Sequence, residues 1–446
     1  MHSLSCGVLS VVLWHCIGAS LSLQAQAPNA QQASAPVEKQ EELKFVVMMS
    51  RHGVRSPTGK PGQLDPFSRQ PWPSWSVPPG YLTEHGAHLM TQFGAYDREL
   101  LASQGLLDAR GCADAQHIRI IADSDQRTRE TGKALAAGLA PGCELTVSAL
   151  PEGTPDPLFH SIEAGVGHPD KTLATTALAG RIGNHPEEIS EAYRLQLETL
   201  QAILRSCKPG ASCAETGTAE PESIFAIPSS IAPGKGDHLV ELHTPLSVAS
   251  TMAENILLEY AEGKDAANVG WGHVEIEKLR DILQLHTANE DISQRTTYIA
   301  RAQSSNLLFH ILQSMRQEAE GHAVAGSLSK AGDHLLILVG HDTNIANISG
   351  TLGLSWLIDG RRDDTPPGGA LVFELWKKLG TGEYFVQTFY VAETLDQMRN
   401  ATPLSLKAPP ERVPVFVPGC GQADGSCNWN AFQQAIRVGY SLDFVK

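Results

Sequence analysis

The chain has 446 residues, 42% hydrophobic and 19% charged, long enough for two lobes and too apolar for a disordered polymer. Against 34 basic residues stand 49 acidic ones, and the net charge of −15 argues against a general binder of nucleic acid or anionic membrane. An anionic ligand would have to be drawn by a local basic pocket set against the global field.

In chain order, the apolar stretch Val8-Leu9-Ser10-Val11-Val12-Leu13-Trp14 and the small residues Ala25-Gln26-Ala27 read as a secretory signal over 1–27. An uncleaved anchor is the alternative, but the stretch is interrupted and short for a span. No later segment is apolar enough to cross a membrane. A periplasmic or secreted protein is expected, a monomer free of the membrane once mature, with a polar, flexible leader over 28–42.

Of eight cysteines, Cys6 and Cys16 fall in the signal. The remaining six, Cys112, Cys143, Cys207, Cys213, Cys420 and Cys427, allow about fifteen pairings, and sequence alone does not choose among them. Short spacings make Cys207–Cys213 and Cys420–Cys427 natural staples, which leaves Cys112–Cys143. No C-x-x-C pair is present, so no metal site is expected.

A first strand is expected over 43–50, ending at Arg51-His52-Gly53-Val54-Arg55-Ser56-Pro57. A loop rich in Pro and Trp follows, through Trp72 and Trp75, and lines a substrate or makes a surface turn. Leu82, Leu89, Phe93, Tyr96 and Leu100 share one face of a helix starting near Thr83. A strand over 117–122 leads to Asp125-Gln126-Arg127-Thr128-Arg129, which opens a helix to Leu139, and a strand is expected over 144–147. This alternation argues for an α/β lobe with parallel pairing. Helical patterns at 188–205, 245–262 and 274–286 read as a helical cap over 161–299. It interrupts an α/β catalytic domain made of 43–160 and 300–446. A helix over 304–318 precedes the apolar strand 335–339, which ends at Gly340-His341-Asp342-Thr343-Asn344. Two paired strands, 370–375 and 384–391, complete the sheet.

Two strands thus end in histidine motifs, and ligands of α/β sheets bind beyond the carboxyl ends of strands. Arg51, Arg55 and Arg127 offer planar forks that match phosphate oxygens. His52 can attack phosphorus, and Asp342 can protonate the departing alkoxide and later activate water.

These motifs carry a resemblance to the histidine acid phosphatases, closest to the bacterial phytase branch. The matching pieces are Arg51-His52-Gly53-Val54-Arg55-Ser56-Pro57-Thr58, Asp125-Gln126-Arg127-Thr128-Arg129, Gly270-Trp271-Gly272, Gly340-His341-Asp342-Thr343-Asn344 and Asp364-Thr365-Pro366-Pro367-Gly368-Gly369. The resemblance implies a phosphoglycerate-mutase-like α/β lobe, a second, mainly helical lobe, and an active site between them. It implies His52 as nucleophile, Asp342 as proton donor, and Arg51, Arg55, Arg127 and His341 as the phosphate clamp. Thr58, Glu254 and Thr343 match substrate contacts, and Asp123 a pocket-wall acid. Gly59 stands where relatives carry a lysine, and Gln303 where a basic residue faces substrate.

The expected reaction is hydrolysis of phosphate monoesters at acid pH without a cofactor, on substrates such as inositol phosphates, with rate falling at high pH as Asp342 loses its proton. A glucose-1-phosphatase-like sugar phosphatase keeps the chemistry with another substrate. A mutase of the related phosphoglycerate branch is disfavoured by the signal. A phosphate-binding protein without turnover is disfavoured by the His52 and Asp342 pair.

Overall fold

The apolar run at 43–49 makes a strand buried on both faces. A computed structural model describes residues 40–60, 62–207, 209 and 220–446 of the chain, beginning with this strand, β1 (Glu41–Arg51). Phe45, Val47 and Met49 pack on one side of the sheet and Val46 and Met48 on the other, the period of two that a strand imposes. β1 starts at Glu41, inside the leader expected to reach residue 42. Glu41 and Glu42 face Lys378 and Lys377 across the ladder, an opposite-charge pairing that favours the extension. The expected signal, the rest of the leader and Cys213 lie outside the described residues.

α1 (Glu84–Gln104) opens where the Thr83 side chain accepts from Gly86 N and closes at Gly105 in the left-handed region. β2 (Ile118–Ala122), α2 (Gln126–Leu139) and β3 (Val147–Ser148) follow. The strand expected over 144–147 is only two residues long and later, because only Val147 and Ser148 pair with β2. α1 and α2 cross closely: a Cβ on Gly138 would lie 1.9 Å from the Thr91 carbonyl oxygen, and one on Gly94 2.3 Å from that of Leu135.

The next stretch holds α3 (Lys171–Arg181), α4 (Ile189–Ala192), α5 (Arg194–Arg205), β4 (Ser230–Pro233), β5 (Val240–His243), α6 (Pro245–Ala261), α7 (Ile276–Ser293) and α8 (Thr297–Glu320). The helix expected over 188–205 is broken at Tyr193, whose backbone leaves the helical region. β4 and β5 form an antiparallel hairpin amid the helical patterns. Leu200, Leu257 and Ile282, from α5, α6 and α7, belong to an apolar cluster separate from those on the sheet.

The chain then returns to the sheet through β6 (Leu335–Gly340), α9 (Asp342–Leu352), the short pair β7 (Leu357–Ile358) and β8 (Arg361–Arg362), β9 (Ala370–Lys378), β10 (Tyr384–Ala392), α10 (Leu395–Asn400), β11 (Glu411–Pro414), β12 (Cys427–Asn428) and α11 (Trp429–Gly439). The sheet order is β11-β10-β9-β1-β6-β2-β3, with β12 also on β10. β1, β6, β2 and β3 run parallel, and the pairs beyond β1 toward β11 are antiparallel. α1 and α2 cover one face, and α8, α9 and α11 the other. Disulfides join Cys112 to Cys143 and Cys420 to Cys427, as expected. Cys207 is also disulfide-bonded. Among the described residues no helix is long and apolar enough to cross a membrane.

Candidate active site

Because β6 lies between β1 and β2, three strand ends deliver their next residues side by side. Arg51 pairs with Gly340 and Ala122 with Val339 in the ladder. Hydrogen bonds continue one residue further: His52 N donates to the Gly340 carbonyl (3.0 Å) and Asp123 N to that of Val339 (2.9 Å). His52, His341 and Asp123 therefore meet at the carboxyl edge of the parallel half.

The His52 ring is buried, with Nδ1 2.9 Å from the carbonyl oxygen of Gly53. A carbonyl only accepts, so Nδ1 carries the proton and Nε2 keeps its lone pair. Burial, with Arg127, Arg51, Arg55 and His341 nearby, holds the imidazole well below its ordinary range. It is a neutral imidazole among cations.

Those cations are individually fixed. Arg51 is fully buried; its Nη1 donates to the Thr365 carbonyl (2.6 Å), and its Nη2 meets both Glu254 and, at 2.9 Å, Asp342. Arg55 Nη2 lies 3.1 Å from the same Glu254 oxygen. Arg127, in the first turn of α2, pairs with Asp125 (2.6 Å) and reaches His341 Nδ1 at 3.4 Å. The Nε groups of all three arginines are buried without a protein acceptor. Asp342 opens α9, and its Oδ1 accepts from Thr343 N (2.8 Å). Burial pushes its carboxyl up, but Arg51, helped by His286 and Arg55, outweighs this and holds it below the usual range. Asp123 Oδ2 accepts from His341 Nε2 (2.7 Å).

The arrangement places a neutral imidazole, three guanidiniums and a carboxyl at one strand edge, the parts that phosphoryl transfer asks for. Comparison with known proteins agrees. The family model described as histidine phosphatase superfamily (branch 2) matches residues 42–391. This chain belongs to that superfamily. It is 35% identical over 416 residues to phytase AppA of Escherichia coli strain K12, covering 91% of this chain and 94% of the relative. It is 29% identical to the glucose-1-phosphatase of Providencia rettgeri, covering 95% and 98%. The solved Hafnia alvei phytase in complex with myo-inositol hexakis sulphate superposes with a TM-score of 0.80 at 34% identity, over 92% of this chain and all of that one. As a superfamily member with these relatives, the chain is a phosphoric monoester hydrolase.

Within the superfamily frame, the weaker candidates sort differently. Glu254, on α6, joins the centre through Arg51 and Arg55. Thr343 follows Asp342 on α9 and offers its backbone N–H to it. Thr58 is exposed and lines a cavity of about 690 Å3 together with Trp72, Trp75, Thr251 and Asn255. The Pro- and Trp-rich loop is thus a cavity wall. Trp72 also packs edge-on to Trp271, whose Nε1 donates to the Pro71 carbonyl. Gln303, on α8, stays back from the arginines: its Nε2 donates to the Asp237 carbonyl (2.6 Å).

Three residues near the centre belong to no expected motif. His160 bridges Asp123 and Asp237, at 3.0 and 2.7 Å. His286, on α7, has ligand-type atoms within 4.8 Å of those of Glu254 and Asp342. Glu290, one turn further along α7, is raised well above the usual range by burial and by Asp342 and Glu254. The only sequence signal for the last two is that polar residues interrupt the apolar face of α7. Asp123, Asp125, His160 and His341 are close enough together to hold a metal ion. Asp123 Oδ2 is hydrogen-bonded to both rings and Asp125 is paired with Arg127.

Proposed function

We propose that this chain is an exported acid phosphatase of phytase type that works through a phosphohistidine at His52. The observation that carries the reading is the neutral, buried imidazole with Nε2 free, set among Arg51, Arg55 and Arg127. A phosphate monoester entering this site competes with Glu254 and Asp342 for the guanidiniums. Nε2 attacks phosphorus in line, the P–N bond forms and the ester P–O bond breaks. The arginines neutralise the equatorial oxygens, and His341 donates to one of them once Nδ1, released by Arg127 to the phosphate, takes up a proton. Asp342 gives its proton to the departing oxygen. It then takes a proton from water, which attacks phosphorus and breaks the P–N bond.

In the free site Asp342 is ionised by its pairing with Arg51. Substrate phosphate draws Arg51 to itself and adds negative charge beside the carboxyl, and both effects raise it into a range where it holds a proton. The two-lobed division, an α/β domain with a helical cap over 161–299, gives α6 and α7 a part in the site: Glu254 and His286 come from the cap. Two disulfides, Cys112–Cys143 and Cys420–Cys427, fit an oxidising compartment, the periplasm or the exterior.

Inositol phosphates fit the phytase relatives, and the cavity beside Thr58 gives a bulky ring room. Gly59 and Gln303 leave the rim with fewer cations than a highly charged ester would favour, which supports a glucose-1-phosphatase-like preference as the second reading. The ratio of turnover on inositol hexakisphosphate to turnover on hexose phosphates decides between them. For the chemistry, the enzyme is quenched in turnover with labelled substrate and the phosphorylated residue is mapped. Label on His52 is expected; label elsewhere sinks the proposal.

A further inference from the structure

His160 lies in the middle of the loop between β3 and α3, where its backbone N–H donates to the Asp156 carbonyl (2.7 Å). Its ring centroid is 5.2 Å from that of His341, which is 5.7 Å from that of His52, so three imidazoles run in a row away from the nucleophile. Nε2 of His160 faces Asp123 Oδ2 (3.0 Å) and Nδ1 faces Asp237 Oδ2 (2.7 Å). Carboxylate oxygens accept, so both ring nitrogens donate and the ring is an imidazolium. Burial opposes that charge, but the hydrogen bonds the ring donates to Asp123 and Asp237 outweigh this and push it up to about 10.

The bracket around His160 is held from several sides. Asp237, from the turn between β4 and β5, accepts at Oδ1 from Glu163 N (2.8 Å). The Phe159 carbonyl, next to His160, accepts from Asn344 Nδ2 (2.9 Å), while Asn344 Oδ1 accepts from His341 N (2.9 Å). The His160 loop is therefore tied to the first turn of α9, which carries His341 and Asp342. One oxygen, Asp123 Oδ2, serves both rings, and Oδ1 of the same fully buried carboxylate has no partner. With Nε2 of His341 engaged in this way, Nδ1 is the nitrogen left beside Arg127.

We infer that His160 is a positioning residue of this site: by holding Asp123 between itself and His341, it fixes the His341 ring with Nδ1 turned toward Arg127 and the place of the substrate phosphate. The inference rests on the phosphatase reading. Neither N–H of His160 is free for substrate, so its effect passes through Asp123 and His341. Without it, Asp123 would be a buried carboxylate with one partner, and the whole charge would fall on His341. The groups facing the ring are Asp123 and Asp125 after β2, Asp156 and Glu163 in its own loop, Asp237 in the hairpin and His341 at the start of α9. Five of the six are acidic, so the imidazolium stands in a negative frame.

The test uses His160→Ala, His160→Asn and Asp237→Asn. For each, kcat and KM on a chromogenic phosphomonoester are measured from pH 4 to 9, and the Kd of inorganic phosphate is measured by calorimetry. His160→Ala is expected to lose about 10- to 100-fold in kcat/KM, as residues that orient a working ligand from behind do, and to bind phosphate more weakly. His160→Asn, which still offers an N–H to Asp123, recovers part of the loss. Asp237→Asn keeps the Asp123 contact but lowers the ring's pKa, so activity falls with rising pH earlier than in the wild type. Wild-type kcat/KM and phosphate affinity in His160→Ala overturn the inference. So does a lower melting temperature with no change in pH profile, which marks a merely structural role. If His160→Ala does not fold, Asp237→Asn decides alone, and an unshifted profile overturns it. A wild type that turns over no phosphomonoester defeats the phosphatase reading instead, and the phosphate Kd values still test His160.

Discussion

Two carboxylates, Asp342 and Glu254, meet Arg51, and their other partners set them apart. In the proposed mechanism Asp342 carries a proton, and its charge depends on whether Arg51 is shared with substrate. Its proton affinity in the complex exceeds that in the free enzyme. The alkaline limb of kcat, which reports the complex, is therefore expected at higher pH than the limb of kcat/KM, which reports the free enzyme. Coincident limbs would show that substrate does not act on Asp342. Glu254 is a counter-ion that restrains Arg51 and Arg55 and raises Asp342 by its charge. Glu254→Gln removes both effects. The predicted outcome is a kcat/KM limb moved to lower pH and a severalfold smaller inhibition constant for phosphate, because two guanidiniums lose a competitor. Steady-state profiles with phosphate as inhibitor check both.

At the scale of elements, the site depends on how α2 is seated. Arg127 stands in its first turn, and the helix is held against α1 through Gly94 and Gly138. In Gly138→Ala the added methyl would meet backbone at Thr91, which no rotamer change relieves. A loss of about 1–3 kcal/mol is expected, with a raised KM as Arg127 shifts; thermal unfolding and kinetics measure the two. Cys112–Cys143 closes a loop of 31 residues that contains all of β2 and α2. Replacing both cysteines by serine is expected to cost about 3–4 kcal/mol by loop entropy, read from denaturant unfolding. The elements that carry His52 and Asp342 are legible in the sequence because 43–49 and 335–339 are long apolar runs cut off sharply by polar motifs. The break at Tyr193 is hidden because the helical period continues across it. His160 and Asp237 are hidden because their contact spans 77 residues and joins a loop to a hairpin, and nothing in local periodicity marks either one.

For the molecule as a whole, buried carboxyls set the pH range of stability. Burial pushes Asp97, Glu259 and Glu393 up to about 8 each, and Glu290 upward as well. In the unfolded chain these groups ionise near pH 4, so between about 4 and 8 the native state binds more protons and stability falls as pH rises, by up to about 1.4 kcal/mol per unit for each group. His160 works in the same direction: its contribution is complete below about 6.5 and is lost as pH rises through about 10. His52, held low, opposes the trend only below about 6.5. The melting temperature is therefore expected to drop between pH 6.5 and 8. Glu393→Gln should flatten that drop, since Glu393 Oε1 has no hydrogen-bond partner to lose. A melting temperature that rises over this interval would contradict the assignment.

The position of β6 has a consequence in time. β1 and β2 are not neighbours; the strand that joins them is made nearly three hundred residues after His52. A chain made from its N-terminus carries His52 from the start, yet β1 has no strand to pair with until β6, which begins at residue 335 of 446. A fragment cut short before residue 335 would hold Arg51, His52, Arg55 and Arg127 and still be inert toward phosphate esters. The order of strands thus acts as a delay on assembly of the centre.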